Sequence, residues 1–134
     1  MARLTSPDKK YPSIKPLEVV VESNLELTTR DGVILRSDVY HPTDDQAYPL
    51  LVCRTPYNIQ LPRYIETATD LAKRGYCVVV QDFRGRYASD GDYHWMWRER
   101  SETHDTEDGY DTIEWAATLE WSDGRVGTWG HSNA

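Results

Sequence analysis

Phenylalanine occurs once in these 134 residues and cysteine twice, and basic side chains are outnumbered 15 to 22 by acidic ones, for a net charge of -7. That balance argues against a surface for nucleic acid or anionic lipid, since both want clustered Lys and Arg. No apolar run approaches the ~20 residues of a membrane-spanning helix. The amino-terminal stretch, Met1 to Pro16, has no apolar segment of the kind a secretory signal carries, so a cytoplasmic location is the expectation. Both cysteines, Cys53 and Cys77, fall inside apolar strand-like runs and read as buried thiols of a reducing compartment, not as a disulfide or metal ligands. Metals and cofactors are not expected. His41, His94 and His104 lack ligand spacing, and neither Asp90-Gly91-Asp92 nor Asp105 to Asp111 reproduces a calcium loop with its closing Glu.

What is present points to one ordinary globular domain, long enough to bury a core. Five Trp and nine Tyr supply large rings with polar tips. Met1 to Pro16, punctuated by Pro7, Pro12 and Pro16, reads as a flexible arm, and residues 17–134 as the folded part. Leu17 to Thr28 is rich in β-formers, with Leu25 and Leu27 alternating against Asn24 and Glu26. Asp31-Gly32 signals a hairpin turn, and Val33 to Tyr40 alternates again as the partner strand. Leu50 to Cys53 is a short continuous apolar run, as expected of a strand buried on both faces. Pro62 can open a helix reaching about Arg74, with Ile65, Ala68 and Ala72 on one face and Gly75 as its stop.

Tyr76 to Val80 is a second buried strand, completing a strand-helix-strand unit. A loop rich in Gly and charge spans Asp82 to Tyr93. A helix from about Asp105 to Leu119 follows, its apolar stripe formed by Tyr110, Ile113, Ala116 and Ala117 and its acidic first turn favoured by the helix dipole. Ser122-Asp123-Gly124 turns the chain into a last strand, Arg125 to Trp129.

That strand runs into Gly130-His131-Ser132-Asn133-Ala134, a Gly-x-Ser-x-small pattern. A serine thrown outward on a sharp strand-to-helix turn needs very small residues two positions before and after it, because larger side chains would strike the turn's backbone. The motif alone is weak. The order of elements before it is that of the first half of an α/β-hydrolase, an antiparallel hairpin leading into a parallel sheet with crossover helices, up to and including the nucleophile elbow.

The details resemble the cocaine esterase/Xaa-Pro dipeptidyl peptidase group of serine hydrolases. The matching stretches are Asp31-Gly32-Val33 with Leu35 to Tyr40, then Arg54-Thr55-Pro56-Tyr57, then Gln81 to Arg86. Glu107 to Trp115 and Trp121 to Gly127 complete them. The resemblance implies that Ser132 is the acylating nucleophile. It implies that Tyr57 donates its hydroxyl to the oxyanion, and that the backbone N–H of Asn133 is the second donor. Asn133 stands where relatives usually carry Tyr, a change the backbone N–H survives. In such relatives the triad Asp and His follow the serine, so this stretch is expected to be an amino-terminal portion without its own base. The implied substrates are small esters, amides or peptides. A homo-oligomer is left open.

Each of these residues has a plainer reading: Ser132 as a turn serine, Tyr57 as a core tyrosine satisfied locally. His131, beside the serine, should leave the elbow in another direction and so not act as its base. Asp82, Arg84 and Arg86 are expected to lock their loop by ion pairing, and Trp95 and Trp97 to pack against other parts of the protein. From a different functional class, the alternative is a non-catalytic α/β-hydrolase remnant that binds a ligand or partner.

Overall fold

The computed structural model describes residues 15–94 and 103–134. The expected arm, except for its last two residues, and the Trp95/Trp97 pair lie outside the described residues. Seven elements follow in order: β1 (Val19–Thr28), β2 (Ile34–Pro42), β3 (Tyr48–Thr55), α1 (Pro62–Lys73), β4 (Cys77–Asp82), α2 (Asp105–Ala117) and β5 (Ser122–Thr128). They build one five-stranded sheet in the order β1-β2-β4-β3-β5. The β1-β2 and β2-β4 pairs are antiparallel, and β4-β3 and β3-β5 are parallel.

The strand order dictates where the helices go. From β3 the chain steps to β4 on one side, then returns past β3 to β5 on the other. Crossovers of one hand taken in opposite directions put their helices on opposite faces of the sheet. The core accordingly splits in two. Tyr40, Cys53, Val78 and Val80 pack with Tyr64, Ala68 and Ala72 of α1. Their sequence neighbours Val39, Val52, Cys77 and Val79 pack on the other face with Ala116 of α2. All six residues of β4 are buried, which explains why it reads as an unbroken apolar run.

α1 has Pro62 in its first turn and ends where Gly75 takes a left-handed conformation with φ +94°. Its buried face is Tyr64, Ala68 and Ala72, with Ile65 packed at the margin. The turn between β1 and β2 holds three residues, not the two that Asp-Gly first suggests. The Thr29 N–H donates to the Val33 carbonyl and the Gly32 N–H to that of Thr29, with Gly32 at φ +87°. β1 carries a bulge between Glu22 and Leu25, where Asn24 turns to φ 56° and its N–H donates to Asp38.

Two expectations need correction. The buried face of α2 is Asp108, Thr112 and Ala116, while Tyr110 and Ile113 are exposed. The reason lies beneath the helix, where the sheet offers polar partners: Thr112 donates to Gln81 at 2.9 Å, and Asp108 accepts from Arg84. β5 begins at Ser122, not Arg125, because Ser122-Asp123-Gly124 forms an irregularity within the strand, between the Tyr48–Ser122 and Leu50–Val126 pairs.

Candidate active site

In an open parallel sheet the crevice for a ligand forms at the carboxyl ends of the strands, where successive connections diverge to opposite faces. Here that point is the end of β3 and its neighbour β5. β3 releases the chain into Thr55-Pro56-Tyr57 and β5 releases it into Trp129 to Ala134. The Trp129 N–H still donates to the Val52 carbonyl at 3.0 Å, so the sheet holds the chain up to the turn.

The turn is as tight as the sequence pattern requires. Ser132 sits at φ 59°, a left-handed conformation that a serine adopts only under local constraint. A Cβ at Gly130 would overlap the Ala134 carbonyl group and come within 3.1 Å of the Ala134 side chain. Position 130 therefore has no room for a side chain, and Ser132 is left exposed.

Tyr57 arrives from the neighbouring strand. Its N–H donates to the Thr55 hydroxyl at 3.0 Å, which is itself paired with the buried Tyr64 hydroxyl at 2.8 Å. Arg86 ties the same loop by donating to the Pro56 carbonyl at 3.0 Å. The outcome is that two residues 75 positions apart meet, with the Tyr57 hydroxyl 3.4 Å from the Ser132 Oγ. That is longer than an ordinary hydroxyl hydrogen bond of about 2.7–2.8 Å, so little has to be broken for either group to engage a ligand oxygen. Asn133 follows in the turn and is half-buried. His131 is exposed, and among the described residues no hydrogen bond joins it to the Ser132 hydroxyl.

Two open cavities flank the elbow. One, of about 450 Å³, lies toward α2 and is lined by Val52, Arg54, Phe83, Ile113 and Trp129 among others. Arg54 stacks over the Phe83 ring at 5.0 Å and donates through Nε to Gln81 at 2.8 Å, while its Nη2 is buried without a partner. Burial lowers its pKa. The other cavity, of about 390 Å³, lies toward α1, against Arg63, Tyr64, Thr67, Trp129, Gly130 and His131. Arg63 was not singled out by the sequence. The available signal was a cation in the first helical turn after the Tyr57 loop.

The charged loop after β4 frames the site without entering it. Arg84 is buried and bidentate on both sides, to Asp108 of α2 at 2.7 and 2.8 Å and to Asp31 of the hairpin turn at 2.8 Å. The Arg84 guanidinium, followed by the Thr29 hydroxyl, holds the Asp31 carboxyl well below the usual range. The lock is therefore an ion pair as expected, but its partners come from distant elements and not from Asp82. Asp82 instead accepts the N–H groups of Ile59 and Ala88, and burial pushes its carboxyl up. Cys53 and Cys77 are free and buried, their thiols pushed up by burial to about 11 and about 12. Among the described residues no cluster of His, Cys, Asp and Glu is placed to hold a metal ion. No described helix is long and apolar enough to cross a membrane.

The model of the X-Pro dipeptidyl-peptidase (S15) family matches residues 31–134. The chain belongs to that family. The cocaine esterase of Rhodococcus sp. (strain MB1 Bresler) is 36% identical over 120 residues, covering 84% of this chain and 19% of that protein. An α-amino acid ester hydrolase superposes with a TM-score of 0.71 at 26% identity, over 97% of this chain and 24% of the other. A CocE/NonD family hydrolase from Staphylococcus aureus gives 0.67 at 25% identity, over 82% of this chain and 22% of its own. This S15 chain thus spans about a fifth to a quarter of those relatives' length. It has the α/β-hydrolase fold and corresponds to their amino-terminal part, and the family is one of esterase- and peptidase-type hydrolases.

Proposed function

We propose that this chain carries the nucleophile and the oxyanion hole of a serine hydrolase acting on ester or amide bonds through an acyl-enzyme. The observation that carries the reading is the meeting of the Tyr57 hydroxyl with Ser132, on a turn that leaves no room for a side chain at Gly130. Ser132 Oγ attacks the carbonyl carbon and gives its proton to a base. The carbonyl oxygen takes up negative charge between the Tyr57 O–H and the Asn133 N–H. The leaving alcohol or amine departs with a proton, and water releases the acid by the same steps in reverse order. A donor already held where charge develops is worth roughly 3–4 kcal/mol in such a transition state, and Tyr57 is anchored at its backbone by Thr55.

Ser132 needs a base to be a competent nucleophile. His131 lines the cavity beside α1 and makes no described hydrogen bond to Ser132, and in this reading the base and the carboxylate that orients it are supplied from outside these 134 residues. Residues 17–134 are the part of the hydrolase domain that supplies the nucleophile, and the substrate is a small ester, amide or peptide. The test uses the full-length gene product with 4-nitrophenyl acetate and a fluorophosphonate label. Hydrolysis and labelling are expected, and Ser132→Ala should bring both to background. Undiminished hydrolysis in Ser132→Ala would overturn the assignment.

A non-catalytic binding module is the second reading, and the observation behind it is that among the described residues β5 pairs only with β3. A full-length protein that neither hydrolyses esters nor takes the label at Ser132 would support it instead.

A further inference from the structure

Arg63 stands in the first turn of α1, at the carboxyl edge of the sheet. Its guanidinium lies 5.3 Å from the centroid of the Tyr57 ring and 5.0 Å from that of Tyr64, with Nη2 3.5 Å from the Tyr64 hydroxyl. The Tyr57 ring is thus a shared wall: its hydroxyl touches Ser132 and its face touches Arg63. Arg30, Arg36, Arg74, Arg84 and Arg125 each pair with a carboxylate, whereas none among the described residues pairs with Arg54, Arg86 or the exposed Arg63, and of these three only Arg63 lines the cavity beside α1.

The cavity it opens on, about 390 Å³, has no acidic residue in its lining of Arg63, Tyr64, Thr67, Trp129, Gly130 and His131. The first turn of α1 holds no acid either, and its cap makes no side-chain hydrogen bond, so the helix dipole adds positive potential to the same place. Arg63 and the amino end of α1 bring positive charge to this cavity, and no acidic side chain among the described residues lines it. An exposed ion pair is ordinarily worth little, but a guanidinium held between two rings presents its fork with less entropy to lose.

We infer that this cavity is the subsite for a carboxylate on the substrate, with Arg63 as its charge partner. The inference rests on the serine-hydrolase reading and narrows its substrate class to esters or amides that carry a free carboxylate a short distance from the scissile carbonyl.

The full-length protein is assayed with matched pairs. Mono-4-nitrophenyl adipate against 4-nitrophenyl hexanoate places the carboxylate on the acyl side. 4-Acetoxybenzoate against 4-methylphenyl acetate places it on the leaving group. A charge-assisted contact of this kind predicts a preference of roughly 10-fold or more for the anionic member of one pair, expressed in KM. The preference should weaken as ionic strength rises. Arg63→Ala should remove it, Arg63→Lys should keep part of it, and Arg63→Glu should invert it. Hydrolysis with no anionic preference in either pair, or a preference that Arg63→Ala leaves intact, overturns the inference while leaving the hydrolase reading in place. If no ester of either kind is hydrolysed, the hydrolase reading falls and this inference falls with it.

Discussion

At Tyr57 the proposed oxyanion donor is a phenol, where α/β sheets often use backbone N–H groups, and that proposal has a testable signature. Removing only the hydroxyl, in Tyr57→Phe, keeps the ring against Arg63 and deletes one oxyanion donor. In steady-state assays of the full-length protein kcat is expected to fall roughly 100- to 1000-fold with KM little changed, since the lost contact is made in the transition state. A large rise in KM at constant kcat would mean instead that Tyr57 only binds substrate. The serine and its small neighbours were legible in the sequence because steric necessity leaves a local mark, Gly130 and Ala134 on either side of Ser132. Tyr57 was legible only through resemblance, as nothing local in Thr-Pro-Tyr says that its hydroxyl reaches a residue 75 positions away. Arg63 left no mark at all, because a lone cation in a first helical turn looks like any solvated side chain.

Among the elements, α2 departs furthest from simple pattern reading. Strand alternation and continuous apolar runs disclosed β2, β3 and β4, since those strands bury what they carry. α2 buries Asp108 and Thr112 and exposes Tyr110 and Ile113, so hydrophobic periodicity pointed to the wrong stripe. Its seat is an ion pair with both members almost wholly inside, the side chains of Arg84 and Asp108 being 8% and 1% exposed. Breaking such a pair from one side strands a charge. Arg84→Met is therefore expected to destabilise the fold by about 3–5 kcal/mol, read as a lower urea midpoint. Recovery of part of that loss in the double variant Arg84→Met/Asp108→Leu would confirm that the orphaned carboxylate, and not lost packing, is the cause. The same lesson applies to β5, whose Ser-Asp-Gly reads as a turn but is accommodated inside the strand.

On the scale of the whole molecule, stability has an acid limb with a defined origin. The Asp31 carboxyl, lowered by Arg84 and Thr29, and that of Asp111, lowered by Arg30, are both held below the ordinary carboxylate value. A depressed native pKa contributes stability that is present above the unfolded value near 4 and is lost as pH falls through the native one. Burial raises Asp82 and Asp105, and these act in the opposite sense, favouring the fold when protonated. Urea midpoints measured from pH 7 down to pH 3 should decline toward acid, and the decline should be shallower in Asp31→Asn. An identical slope in the variant would assign the acid limb to other groups. The Arg84 clamp also bears on how such a chain can change over time. It joins residue 31 of the hairpin, residue 84 of the loop and residue 108 of the helix, which are three of the stretches by which the family is recognised. Altering Arg84 alone strands the buried Asp108 carboxylate, whereas loss of either carboxylate leaves Arg84 paired with the other. A chimera joined between 84 and 108 is therefore expected to fold only when its two parents supply the arginine and the buried carboxylate together.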